Sequence, residues 1–416
     1  MACHAPLARA QAFGELLDSE IPLSTKTGRN LGVLDRYFEK LEPQGIPAGG
    51  FRVYPSLVGA IGYTTNVVGA EQNPKSDFYA QVVPQIVAQS QWNRHSLRLT
   101  SYFDGRRYFR TPQKDQDGYL AQLDGRIDIV GQSKVELQAA QRRTYEDQTV
   151  GSFPANGGGA IAVDQTSALL RGTHVINRLR LTGSTDFNRL TYSDTVSTSG
   201  TLLRQGFRNR SVFRGSARLE YLLNAENAFF VQLTYRKTDY DDRSVANDRT
   251  SNEWRVLGGA IADATSLIRV ALGVGYYRRT YQNPTFRTIG GVAVDARADY
   301  FVTTLTTVSL IASRKIEEAT LANSSGYVAT RGGFSIDHEL LRNLRLKLAG
   351  EYQRDRFQNI DRRDSLFNAS FGAEYRATRH WAFRPRIEYI RRESSGIDAG
   401  PDIREFRGLL SITLQQ

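Results

Sequence analysis

Polarity alternates residue by residue through most of this chain. In 228–236, Phe229, Val231, Leu233 and Tyr235 fall on one side of an extended backbone, and Phe230, Gln232, Thr234 and Arg236 on the other. In 344–353, Leu344, Leu346, Leu348, Gly350 and Tyr352 oppose Arg345, Lys347, Ala349, Glu351 and Gln353. In 382–389, Phe383, Ile387 and Tyr389 oppose Arg384, Arg386 and Glu388. A period of two marks a strand with two unlike faces. About 18 such segments run from 51–63 to 403–415, most of them roughly 10–15 residues long. Strands of soluble proteins average about 5–6 residues, whereas a tilted strand needs about 9–11 to cross the hydrocarbon of a membrane. Alternation alone fits a soluble sandwich; the length of the segments favours lipid on the apolar face and a lumen on the charged one.

The connections point the same way. Those at 91–94, 131–134, 175–177 and 224–227 are short, and those at 147–163, 193–210 and 394–402 are longer and carry Gly, Ser, Asn and Asp. Short turns at one end and long loops at the other are the habit of outer-membrane barrels, and an even strand number returns both termini to one side. The brief connection at 282–285 breaks the rhythm. Composition is compatible: 20 Tyr and 20 Phe can supply two aromatic girdles. Mean hydropathy is −0.42, and no apolar run approaches the roughly 18 residues that a membrane helix needs. The expected fold is all-β: a transmembrane antiparallel up-and-down barrel of about 18 strands, occupying 49–416.

Two features sit awkwardly in that fold. Pro55, Pro84 and Pro385 fall inside expected strands, and a closed barrel has no edge on which to hide a missing N–H. The last strand places Phe406, Gly408, Leu410, Ile412 and Leu414 on one face but ends in Gln416, where many outer-membrane proteins carry an aromatic.

Ahead of the barrel, Ala8-Arg9-Ala10-Gln11-Ala12 resembles the small-residue end of a secretory signal, so 1–12 is read as a signal remnant or a disordered tail, with Cys3 inside it. Residues 13–48 form an N-terminal periplasmic or plug segment. Leu31, Leu34, Phe38 and Leu41 have helical spacing, Asn30 offers a cap and Pro43 a stop, which predicts a short amphipathic helix.

At 44–57 the chain reads QGIPAGGFRVYPSL. Gly62-Tyr63-Thr64-Thr65-Asn66 follows, then Ser76-Asp77-Phe78-Tyr79-Ala80 with Pro84. These residues resemble the start of the putative beta-barrel porin 2 family, in which a G-I-x-x-G-x-F-x-x-x-P-S-L segment leads into the first strand. The close match covers two strands; the rest agrees in rhythm and length. The resemblance implies a passive outer-membrane conduit of a Gram-negative cell for an exported, anionic polysaccharide, served by a periplasmic polysaccharide-export partner. Outer-membrane lipid and lipopolysaccharide are the surroundings it implies.

The chain carries 54 Lys and Arg against 43 Asp and Glu, a net charge of +11. No basic helix or aromatic-basic module points to nucleic acid. Arg98, Arg236, Arg345, Lys347, Arg384 and Arg386 instead fall opposite the apolar stripes and are the expected pore-lining, anion-contacting residues. An Arg fork can hold a carboxylate or phosphate by two bonds, and rings of such residues give anion preference. Glu351 and Glu388 share those faces, so ordinary ion pairing competes with that reading. A general or anion-preferring diffusion porin is the alternative function.

Catalysis has little support. His95, His174, His338 and His380 all fall near expected short turns, where a polar cap is the simplest role. Asp337 and His338 are adjacent in a strand and point to opposite faces, so they cannot form a local dyad. No nucleophile elbow, zinc-binding His pair or phosphate-cradling loop occurs. Gly157-Gly158-Gly159 reads as loop flexibility. One Cys and scattered His leave no evident metal site, and no cofactor is expected; Asp239, Asp241 and Asp242 form an acidic patch that reads as a solvated loop.

Overall fold

The computed structural model describes residues 31–416 apart from 37, 225, 320 and 322. The proposed signal remnant, Cys3 and the Asn30 cap lie outside the described residues. Eighteen long strands form the ring: Phe51–Thr64, Asp77–Ser90, Ser96–Tyr108, Gln116–Asp128, Lys134–Tyr145, Ala162–Ile176, Leu179–Tyr192, Arg210–Leu222, Ala228–Tyr240, Ser251–Asp263, Ile268–Tyr281, Ile289–Thr303, Thr306–Glu317, Tyr327–Leu341, Leu344–Phe357, Arg363–Arg376, Trp381–Ser395 and Ile403–Gln415. Each pairs antiparallel with its neighbours in sequence. The first closes on the last, from Ser56 opposite Gln415 to Thr64 opposite Arg407. A three-residue strand, Ile46–Ala48, doubles back on the start of the first.

The two faces differ as the alternation requires. Outward-pointing Val231, Ile61 and Trp254 are 59%, 62% and 52% exposed, while inward-pointing Gln232 and Arg279 are 1% and 0% exposed. Apolar outside and polar inside is costly in water over so large an area and favourable in lipid. Aromatic side chains collect at both ends of the outer wall. Tyr235 and Trp254 pack 4.5 Å apart toward the long-loop end, and Phe51 and Trp92 5.6 Å apart toward the short-turn end.

All three prolines fall where a ladder is interrupted. Pairing between the second and third strands skips from Val82–Gly105 to Gln85–Tyr102 around Pro84. Between the sixteenth and seventeenth it skips from Gly372–Arg386 to Tyr375–Phe383 around Pro385. Pro55 sits between the short strand, whose pairing ends at Val53, and the last strand, whose pairing begins at Ser56. No N–H is required at these points.

The expected helix near residue 31 is absent. The chain there forms two 3₁₀ turns, Val33–Asp35 and Glu39–Leu41, with extended backbone at Arg36 and Phe38. Contacts with the wall override the local spacing. The Val33 N–H donates to Thr307 Oγ1 at 3.1 Å, Arg36 pairs with Glu339 at 3.0 Å, and Glu42 accepts from Arg376 at 2.7 Å. Thr307, Glu339 and Arg376 all point inward near short turns. The segment therefore lines the inside of that mouth.

Candidate functional site

Register places the six expected pore residues on the inner face. Lys347 and Arg345 share the fifteenth strand, Arg384 and Arg386 the seventeenth, and these four lie on one wall; Arg98 is on the third strand and Arg236 on the ninth. Most are engaged. Arg384 pairs with Glu374 at 2.8 Å, Arg386 with Glu388 at 3.1 Å, Lys347 with Asp337 at 3.5 Å and Arg236 with Glu318 at 3.9 Å. Arg345 donates to the Arg36 carbonyl at 3.1 Å and lies over the Phe38 ring, so the N-terminal segment occupies it. Arg98 stands directly across the ladder from Asp124.

The residues that narrow the lumen come from a loop. Residues 146–161 leave the fifth strand and turn inward rather than out. Glu146 and Arg208, 0% and 1% exposed, form a two-pronged pair at 2.6 and 2.8 Å, with the Arg208 guanidinium over Tyr192 at 4.1 Å. Beyond it, Asp147 reaches the eighteenth strand and pairs with Arg407 at 2.7 Å. Arg392 on the seventeenth strand donates to the carbonyls of Thr149 and Val150 at 3.3 and 3.0 Å. Phe153 and Ile161 pack with Val163, Leu190, Tyr192 and Val212 on the near wall. The loop thus spans the ring, fixed at both sides.

Gly157–Gly159 do not give this loop flexibility, contrary to the sequence reading. The N–H groups of Gly158 and Gly159 donate to the Val196 carbonyl at 2.8 and 3.1 Å. A Cβ on Gly158 would meet the Ser197 carbonyl oxygen at 2.8 Å, and one on Gly159 the Thr195 hydroxyl at 2.7 Å. The glycines are there for close approach.

Under the loop a cavity of about 120 Å³ is bordered by Arg106, Lys114, Arg386 and Arg407 and by Asp147, Glu388 and Glu405. Arg106 lies over the Tyr79 ring at 4.8 Å, with the Asp104 carboxylate on the same inner face. Lys114 donates to Gln148 and to the Gly159 carbonyl, both at 3.3 Å, and sits over Phe153 at 4.9 Å. Burial pushes its ammonium down to about 8, against the opposing pull of Asp147 and Glu405. Burial alone would raise the Asp147 carboxyl, but Arg407 and the Thr149 donors hold it well below the usual carboxylate range. The cavity can hold a small anion or pass one between fixed charges of both signs.

The sequence reading missed Arg106, Lys114, Asp147 and Arg407. Arg106 shares the face of Arg98, eight residues earlier, and Arg407 lies between outward-facing Phe406 and Gly408, so parity could have found both. Nothing local marks Lys114 or Asp147, because inward folding of a loop leaves no periodic signal.

The histidines cap turns. The His174 and His338 rings each meet a hydroxyl, Ser133 at 2.8 Å and Thr306 at 2.9 Å; the His380 ring meets the Gln415 carbonyl at 3.0 Å, and His95 accepts the Asp128 N–H at 3.1 Å. In the acidic patch, Asp239 pairs with Lys237 at 3.2 Å, Asp241 with Arg189, and Asp242 accepts the Ser244 N–H at 2.9 Å. No group able to hold a metal ion forms among the described residues.

Comparison with known proteins gives this geometry its setting. The family model for putative beta-barrel porin 2 matches residues 39–416, and the chain belongs to that family of outer-membrane barrels. No curated protein matches. Among solved structures it is similar to *Pseudomonas aeruginosa* OccK1 (OpdK), at 9% identity and a TM-score of 0.46 over 88% of this chain and 99% of that one. It is also similar to *P. aeruginosa* OccK2 (OpdF) in complex with glucuronate, at 11% identity and 0.48 over 87% and 98%. The siderophore receptor PirA from *Acinetobacter baumannii* follows at 7% identity and 0.46 over 86% and 80%.

Proposed function

For this member of the porin family in the outer membrane, we propose passive diffusion of small anionic solutes through a lumen narrowed by residues 146–161. The observation that carries this reading is the pinned loop, with Arg106, Lys114, Arg386 and Arg407 around the space beneath it. Cations held in a low-dielectric constriction favour anions in transit, and the interleaved carboxylates keep binding weak enough for release. The reversal potential of the refolded protein in a salt gradient tests it. Arg386→Glu should shift selectivity toward cations without loss of folding. Equal anion and cation permeability in the wild type would contradict the proposal.

Export of a secreted, anionic polysaccharide, with a periplasmic export partner, is the second reading, and the 44–57 motif favours it. It differs in one requirement: residues 146–161 must swing clear to pass a polymer. Loss of secreted polysaccharide on gene deletion, restored by the wild type but not by a variant with the loop cross-linked in place, would favour export. Unchanged polysaccharide would leave the diffusion channel.

A further inference from the structure

Around the outer wall, just beyond the aromatic belt at the long-loop end, most charged side chains occur in opposite-sign pairs, with Arg278 and Arg404 standing singly among the described residues. Arg107 meets Asp117 at 2.6 Å, Arg143 meets Asp164 at 2.8 Å, Lys237 meets Asp239 at 3.2 Å, and Arg189 and Arg391 meet Asp241 and Glu393. One sector departs from this. On the thirteenth to sixteenth strands, Arg314, Arg354, Arg356 and Arg363 share the outward face of Leu310, Tyr352 and Phe367, and none has an ion-pair partner among the described residues. Register sets them in two adjacent rows: Arg314, Thr330, Arg354, Ser365, then Ile316, Val328, Arg356, Arg363.

The same sector contains a break in the sheet. The twelfth and thirteenth strands pair only from Val294 opposite Arg314 inward, which leaves Ile289–Ala293 unpaired on that side. Inward-type Tyr277, Ile289 and Ala293 instead join outward-type Ile316 and Val328 in one buried cluster. The 282–288 turn continues across to the next loops, where the Asn359 amide donates to the Thr285 carbonyl at 2.9 Å and accepts the Arg287 N–H at 3.3 Å. Between this overlap and the wall lies a groove of about 540 Å³, bordered by Thr288, Gly290, Arg314, Arg354, Arg356 and Arg363. The carboxylates of the two adjoining loops tie those loops to each other: Asp398 accepts the Asp361 N–H at 2.9 Å and Asp361 the Ile397 N–H at 3.3 Å.

We propose that this groove binds the phosphorylated headgroup of an outer-leaflet glycolipid, the lipid A part of lipopolysaccharide. Four forked cations at headgroup height match two phosphates on one sugar pair, and the apolar wall below takes the acyl chains. The proposal rests on the outer-membrane placement and is independent of what the lumen carries. Its test uses the full chain in zwitterionic nanodiscs, titrated with bisphosphorylated lipid A and followed by native mass spectrometry. Wild type and an Arg107→Gln/Arg143→Gln/Arg189→Gln control should retain lipid A. The Arg314→Gln/Arg354→Gln/Arg356→Gln/Arg363→Gln variant should bind about tenfold more weakly or worse. Fully dephosphorylated lipid A should bind all three equally weakly. If the fourfold variant does not fold, single Arg354→Gln and Arg356→Gln variants should each weaken binding measurably. Equal lipid A binding by wild type and the groove variants would overturn the proposal. So would an equal loss in the control, undiminished binding of dephosphorylated lipid, or displacement by millimolar inorganic phosphate, which would mark a site for soluble anions.

Discussion

Both mouths of this barrel are lined from inside by a piece of the chain, but the two pieces are held in different ways. At the long-loop mouth, residues 146–161 have a buried ion pair, an apolar cluster and an arginine donating to backbone carbonyls, anchored on opposite walls. At the short-turn mouth, the described part of the N-terminal segment has two ion pairs, three further hydrogen bonds to the wall and two 3₁₀ turns, with Leu31 64% exposed. Both segments carry buried charge, but only the outer loop adds an apolar cluster to it; a segment held by ion pairs and single hydrogen bonds alone is a liner that can be lifted away. The lumen is therefore set at the long-loop end and only modulated at the other.

The sharpest way to break this contrast is to cut the outer anchor. Arg208→Ala leaves Glu146 charged and buried without its partner, a loss of about 3–5 kcal/mol. The urea midpoint should fall and trypsin or a broad protease should cleave within 146–161; a protected loop would show that the pair is dispensable. Removing residues 31–45 should have a smaller effect, a modest rise in conductance with the melting behaviour of the barrel kept. A collapse of folding on that deletion would make the inner liner as structural as the outer loop.

Protonation offers a finer probe. Lys114 lies under the outer loop, and burial lowers it to about 8. Its charge is present below that pH and lost above it, so anion preference should fall as pH rises from about 7 to about 9. Because folding lowers this pKa, the charged form opposes folding below 8, and stability from this group grows as pH rises from 8 toward the unfolded value. Lys114→Met should flatten the selectivity profile. A profile unchanged by that substitution would place the titrating group elsewhere.

Much of the barrel could be read from the sequence. Long two-residue periods such as 344–353 impose a strand and assign each side chain a face, so the inward placement of Arg384, Arg386 and Lys347 followed from parity alone. Closure of the ring needed only the even rhythm of short and long connections. The narrow part of the lumen was not legible, because it depends on contacts between residues far apart in the chain: Asp147 with Arg407, Val150 with Arg392. The spacing of Leu31, Leu34, Phe38 and Leu41 misled for the same reason, since Thr307 and Arg345 bond backbone groups that a helix would have paired internally. The glycines at 157–159 show the limit of composition: the residue type that frees one loop lets another pack closely.

The most direct test of the account is single-channel conductance in a planar bilayer, comparing the wild type with a variant in which 148–159 is replaced by a short turn. A small, anion-preferring conductance that rises several-fold with loss of selectivity is the predicted result. An identical conductance in the two proteins, or silence from both when folded, would contradict the assignment of residues 146–161 as the constriction.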